Sequence, residues 1–277
     1  LLAEEDNRIY LFWRGMGFKP NVAHSDDLGK TWSPGKILIR PPATYQNRRP
    51  YLKVAGDGRD RIHLAFTDGH PRNEPTNSIY YAQYRDGAFY RADGRRIATY
   101  EELPFEPGQA DVVYDAEKTG ERAWIWDVAA DREGRPALVY ARFPDDRHHV
   151  YYYARWDGRR WRNHRLLDSG GWFPQTPPGE EEREPNYSGG LVLDHEDPNI
   201  VYLSRERGGV FELERWTTTD GGQSWSKERL TQNSDRDNVR PFAVRGAAAG
   251  DPLQVLWWRL TRYRHYTDYE GDIFGRE

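Results

Sequence analysis

His70 is the residue in this chain most suited to chemistry by its type and its setting. It lies in Thr67-Asp68-Gly69-His70-Pro71, between a Gly and a Pro that restrict the backbone, where an apolar run ends. An imidazole titrates near neutrality and works as an acid or base when a strand end holds it in place. Asn77 follows just before Ser78-Ile79-Tyr80-Tyr81. A His that merely caps its turn is the plainer reading. Tyr and Arg then associate at strand positions. Tyr140 closes Pro136–Tyr140, and Arg155 falls in the next strand of the same hairpin. Tyr187 opens Tyr187-Ser188-Gly189-Gly190-Leu191, Arg205 ends Val201–Arg205, and Arg240 sits in Asn238-Val239-Arg240-Pro241-Phe242. A guanidinium beside a phenol favours the phenolate. For any one such pair, cation–π packing is the alternative.

Other machineries lack their residues. There is no Cys, and no G-x-G-x-x-G, P-loop, G-x-S-x-G or H-E-x-x-H. His148 and His149 are adjacent and would point to opposite faces of a strand, and His195 lies in a polar turn. No ligand cluster has the spacing of a metal site. Asp68 and Asp127 are the only carboxylates to nominate for a glycosidase-type acid or nucleophile.

The elements that must position these residues are strands. Runs such as Arg8–Trp13, Arg61–Phe66, Ser78–Tyr84, Ala137–Tyr140, Val150–Trp156, Asn199–Leu203, Phe211–Trp216 and Leu253–Trp258 are rich in aromatic or β-branched residues and are bounded by turns. Asp86-Gly87, Asp93-Gly94 and Asp157-Gly158 are hairpin signals. Two segments, Ser25–Trp32 and Thr218–Trp225, share the pattern S/T-x-D-x-G-x-T/S-W. In this pattern the Asp satisfies turn amides, the Gly permits positive φ, and the Trp is expected to bury beneath the hairpin. These runs predict an all-β class, and the repeated pattern resembles the Asp-box repeat of sialidase-like propellers, which implies a propeller of four-stranded blades with 1–277 as a single domain. Ser169–Asn186, rich in Gly, Pro and Glu, is expected to be a surface loop near a central site.

Composition narrows the partners. Of the 277 residues, 40 are basic and 44 acidic, a net charge of −4 that argues against a nucleic-acid binder. Aromatic residues at 14% argue against disorder, and no run is long enough to span a membrane. Only six of the basic residues are Lys, so the guanidinium groups reflect either codon bias or a grip on carboxylates and sulfates.

The segments Arg61–His63, Thr67–Pro71, Asn77–Tyr81, Ala123-Trp124, Asp127, Gly134–Pro136, Tyr140–Arg142, Tyr152–Gly158, Tyr187–Gly190, Ser204-Arg205 and Asn238–Pro241 together resemble the BNR-repeat (Asp-box) propeller family. That family includes ulvan lyases and rhamnose–glucuronate polysaccharide lyases. The resemblance implies β-elimination at a uronic acid in an anionic polysaccharide. His70 and Tyr140 would handle protons, Arg155 would neutralise the uronate, and Asn77, Tyr187, Arg205 and Arg240 would bind substrate. Those lyases carry a second His about twenty residues further on, where this chain has Tyr90 and Arg91 as stand-ins. The resemblance further implies seven blades, with sequence ahead of Leu1 missing, and a monomer working outside the cytoplasm. It implies no required cofactor, although some relatives hold a structural calcium or zinc ion. A sialidase-like hydrolase and a non-catalytic glycan-binding propeller are the alternatives.

Overall fold

The computed structural model describes residues 8–145, 148–170, 190–247, 250–265 and 267–275. Twenty strands account for most of it. Strands β1 (Ile9–Arg14), β2 (Pro20–Ser25) and β3 (Lys36–Ile37) form an antiparallel sheet. A larger sheet holds β4 (Leu52–Gly56), β5 (Ile62–Thr67), β6 (Ile79–Arg85), β7 (Ala88–Tyr90) and β8 (Arg96–Thr99), with β9 (Asp111–Tyr114) also on β6. Strands β10 (Arg122–Ala130), β11 (Pro136–Asp145), β12 (His148–Trp156) and β13 (Trp161–Gly170) follow in order. So do β14 (Leu191–Leu193), β15 (Ile200–Arg207), β16 (Val210–Thr217) and β17 (Ser226–Arg229). The last sheet holds β18 (Asn238–Ala243), β19 (Val255–His265) and β20 (Asp268–Gly275). The one α-helix among the described residues is a single turn, Ala116–Thr119.

Two of the sheets have the expected four strands, and the β4–β9 sheet departs from the pattern by sharing one edge of β6. Asp86 and Gly87, both at positive φ, turn the chain tightly so that β7 covers Gln83–Arg85. That leaves Ile79–Tyr81 for β9.

The chain forms two compact units, 1–138 with 155–163, and 139–154 with 164–277. The first packs Tyr10, Val22, Leu38, Ile39, Ile62, Leu64, Phe66, Tyr84, Phe89 and Phe105 into one core. Every residue of β5 is buried, consistent with its unbroken apolar and aromatic run. In the second unit Ile200, Tyr202, Leu213, Val255 and Trp257 form the core of the β14–β20 region.

The two repeated turns have the same hydrogen bonds. Ser25 Oγ donates to Asp27 Oδ1 (2.8 Å) and accepts from Gly29 N (2.8 Å), while Thr31 N and Oγ1 donate to the Asp27 carboxylate (2.8 and 2.7 Å). Thr218, Asp220, Gly222 and Ser224 repeat this set at 2.6–2.9 Å. Gly222 has φ 104°, and a Cβ there would lie 2.7 Å from the Tyr153 ring, so no other residue fits. The Trp expectation holds for one turn only. Trp225 packs on Tyr153 and Trp216, whereas Trp32 is 42% exposed.

Hydrogen bonds from Thr31 and Ser25 hold the Asp27 carboxyl down at about 2. A group whose pKa falls on folding stabilises the protein above its unfolded value of 3.8 and loses that effect as pH drops through the folded value. Asp27→Ala should therefore lower the melting temperature at neutral pH. In thermal melts the gap from wild type should close between pH about 4 and about 2.

Candidate functional site

In the first unit the turn after β5 is tied down from both sides. Thr67 Oγ1 donates to Gly69 O (2.7 Å), and Gly69 N donates to Asn77 Oδ1 (2.9 Å). Asn77 Nδ2 donates to Ala123 O in β10 (2.7 Å), and Ala123 N donates back to Asn77 O (2.9 Å). Asp68 accepts from Ser78 N (2.8 Å), Tyr80 OH (3.1 Å) and Arg48 Nη1 (3.0 Å). Arg48 also donates to Glu74 (2.9 Å), whose side chain occupies the space that a Cβ on Gly69 would need.

His70 projects from this turn into an aromatic corner. Its ring lies 4.7 Å from Trp124 and 5.5 Å from Tyr51, centroid to centroid, and Tyr51 and Trp124 are 4.7 Å apart. Arg14, the last residue of β1, lies over the Tyr51 ring (4.5 Å) and donates to its hydroxyl (2.9 Å). Burial, then the charges of Arg72 and Arg14, push the His70 imidazole down to about 4. The ring is therefore neutral at pH 7. Arg72 N donates to His70 Nδ1 (3.0 Å), so the ring proton sits on Nε2 and points its donor outward. The corner presents a neutral N–H donor with cations beside it, a setting that receives negative charge.

In the second unit Tyr140 is fully buried in β11 and stacks on Tyr152 (5.4 Å). Arg142 donates to the Tyr140 hydroxyl (3.0 Å) and lies over the Tyr152 ring (3.8 Å). Arg205 is half-buried opposite Glu212 in the β15–β16 register, yet the Glu212 carboxylate is taken by Thr231 and Ser234. Arg205 forms no ion pair among the described residues, and its Nε is buried without an acceptor. Arg240 is exposed at φ 54° and lines a 370 Å³ cavity with Phe242, Leu256, Trp258, Tyr269 and Ile273.

Several expected contacts turn out to have other partners. Arg155 is three residues from Tyr152 along β12 and so faces the opposite way, where Asp131 takes it in a buried ion pair. Both ends of the Asn77 carboxamide bond backbone and the side chain is fully buried, so Asn77 positions the turn. Tyr90 stands opposite Gln83, which pairs with His63, four residues back along β5 from Thr67. That places it roughly 13 Å along the sheet and two strands across from the His70 turn. Tyr90 packs on Arg85 (4.8 Å), and Arg91 donates to Gln109 O (2.7 Å). Neither replaces a second His at the His70 corner. Tyr187 and most of Ser169–Asn186 lie outside the described residues. Sequence reasoning missed Arg14, Tyr51 and Arg48. Their signal was position at or near strand ends, which becomes informative once the sheet order is known.

The model of the BNR repeat-containing family matches residues 1–169. The chain belongs to that family. No curated protein matches it by sequence. Among solved structures it is similar to an ulvan lyase of polysaccharide lyase family PL25 bound to -[GlcA(1-4)Rha3S]-, with a TM-score of 0.71 at 14% identity over all of this chain. The chain spans 64% of that lyase's length. A second polysaccharide lyase superposes with a TM-score of 0.58 at 13% identity, and 57% of it is covered. The likeness is one of fold.

Removing the Asn77 carboxamide leaves Gly69 N–H and Ala123 C=O buried without partners. Asn77→Ala should cost about 2–4 kcal/mol of unfolding free energy in urea titrations. In NMR titrations His70 should change charge near pH 4. Arg14→Gln should raise that value but keep it below 6.5, because burial is the larger cause.

Proposed function

We propose that this BNR-repeat protein is a polysaccharide lyase that cuts an anionic, uronate-containing polysaccharide by β-elimination outside the cytoplasm. The observation that carries the reading is the positive charge of Arg14 and Arg72 beside His70, which no carboxylate among the described residues pairs with. Arg14 and Arg72 both act on the imidazole, while Asp68 and Glu74 are engaged by Arg48. A sugar carboxylate meets the charge and hydrogen-bonding needs of such a corner.

In β-elimination a base removes the C5 proton, the C5–H electrons form the C4=C5 bond, and the C4–O4 bond breaks as O4 takes up a proton. The His70 Nε2–H donates to the carboxylate, which gains negative charge as the proton leaves. The family resemblance assigns proton transfer to Tyr140, which lies in the second unit, and there the Arg142 contact to its hydroxyl would stabilise that oxygen when it is charged. Arg155, first assigned the uronate contact, is held by Asp131, while in the second unit Arg205 has no ion pair among the described residues. Neutral imidazole donation, with no free carboxylate pair at the His70 corner among the described residues, favours elimination over hydrolysis. Asp68, the nearest nominee for a hydrolytic acid, has its oxygens occupied by Arg48, Ser78 and Tyr80.

Incubation with ulvan and other uronate polymers should produce new ends that carry the ultraviolet band of an unsaturated uronate. His70→Ala and Tyr140→Phe should each lower kcat/KM by about 10²–10⁴ while folding normally by circular dichroism. New reducing ends without the band would mean hydrolysis. Binding without any cleavage would mean a glycan-binding propeller.

A further inference from the structure

Phe18 is the most strained aromatic side chain at the surface of the first unit. Its φ is 58°, a left-handed conformation that bulky side chains avoid, and Gly17 before it has φ 61°. The turn is nonetheless well held. Phe18 N donates to Gly15 O (2.9 Å), Lys19 N to Met16 O (3.2 Å) and Gly15 N to Lys19 O (3.0 Å). The buried Lys19 ammonium donates to the carbonyls of Gln46 (2.7 Å) and Arg48, clamping this turn to the segment that carries Arg49. The strain holds the ring in solvent, 54% exposed, which core packing would not require. Backbone strain maintained in this way marks functional positions.

Two guanidinium groups lie on that ring, Arg49 at 4.2 Å and Arg14 at 5.6 Å from its centroid. A stacked guanidinium keeps its N–H donors in the ring plane, oriented for bidentate contact with an anion. Neither Arg14 nor Arg49 has a carboxylate partner among the described residues, although acidic residues outnumber basic ones in the chain. Arg14 also lines a 530 Å³ cleft with Trp13, Pro50, Tyr51 and Leu52. Tyr51, which lines this cleft, also touches the His70 ring.

We infer that Phe18, Arg14 and Arg49 form a second saccharide subsite, which grips the carboxylate or sulfate of a neighbouring unit in the same polymer that reaches His70. The inference rests on the polysaccharide reading of the His70 corner. Phe18 orders the two guanidinium forks, and Arg49 supplies donors that no group among the described residues uses.

The test measures binding and turnover of wild type, Arg49→Ala and Phe18→Gly with uronate oligosaccharides of equal length, one sulfated and one not. Arg49→Ala should weaken Kd about tenfold and raise KM, with kcat within twofold of wild type. Phe18→Gly relieves the strained φ, so its melting temperature should hold or rise while its affinity falls. A purely structural role would not produce that combination. The oligosaccharide whose affinity responds identifies the anion as carboxylate or sulfate. If wild type binds the oligosaccharides and both variants bind equally well, the subsite is wrong and the lyase reading stands. If wild type binds neither, the polysaccharide reading fails and the subsite fails with it.

Discussion

A single buried carboxamide sets the geometry of the His70 corner. Asn77 joins Gly69 N–H to Ala123 C=O, the residues immediately before His70 and Trp124. Fixing those two backbone points brings imidazole and indole together at 4.7 Å, and Tyr51 completes the aromatic wall. Neither side chain has to find the other, because the backbone beneath both is tied by an amide removed from water. A buried amide with both ends satisfied is strongly directional, so the turn carries His70 as a rigid extension of β5.

Electrostatics then divides the arginines by neighbourhood. Arg48 and Arg155 are spent on Asp68, Glu74 and Asp131, and these buried pairs join segments of the first unit. Arg14, Arg49 and Arg205 have no carboxylate partner among the described residues. The guanidinium fork suits both tasks, and the sequence alone does not distinguish them. What separates the two groups is whether a carboxylate comes within reach in three dimensions. Arg155 shows this directly: its place on β12 turns it away from the Tyr140–Tyr152 stack and toward Asp131.

The strands were legible because aromatic and β-branched runs bounded by Asp-Gly turns leave little else for the backbone to do. Asp86-Gly87 and Asp157-Gly158 both appear as turns between consecutive strands. The two repeated turns were legible for the same local reason, since each hydrogen bond spans at most four residues. Burial was harder to read. Trp32 and Trp225 occupy the same place in the same motif, yet only Trp225 has Tyr153 and Trp216 to pack on. Tyr90 was selected by its distance in sequence from His70, and the strand order carries it two strands away.

The sequence by itself determined the all-β class, the hairpins, the repeated Asp turns and the rigid Gly-His-Pro setting of His70. All of these depend on interactions among near neighbours in the chain. The tertiary structure decided which Arg would be neutralised and that Asn77 would be structural. It also decided that the imidazole would be neutral and Nε2-protonated, and that a strained Phe18 would stand beside Arg49. Those outcomes depend on burial and on contacts such as Arg14 to Tyr51 and Asn77 to Ala123, tens of residues apart, which exist only once the strands have paired.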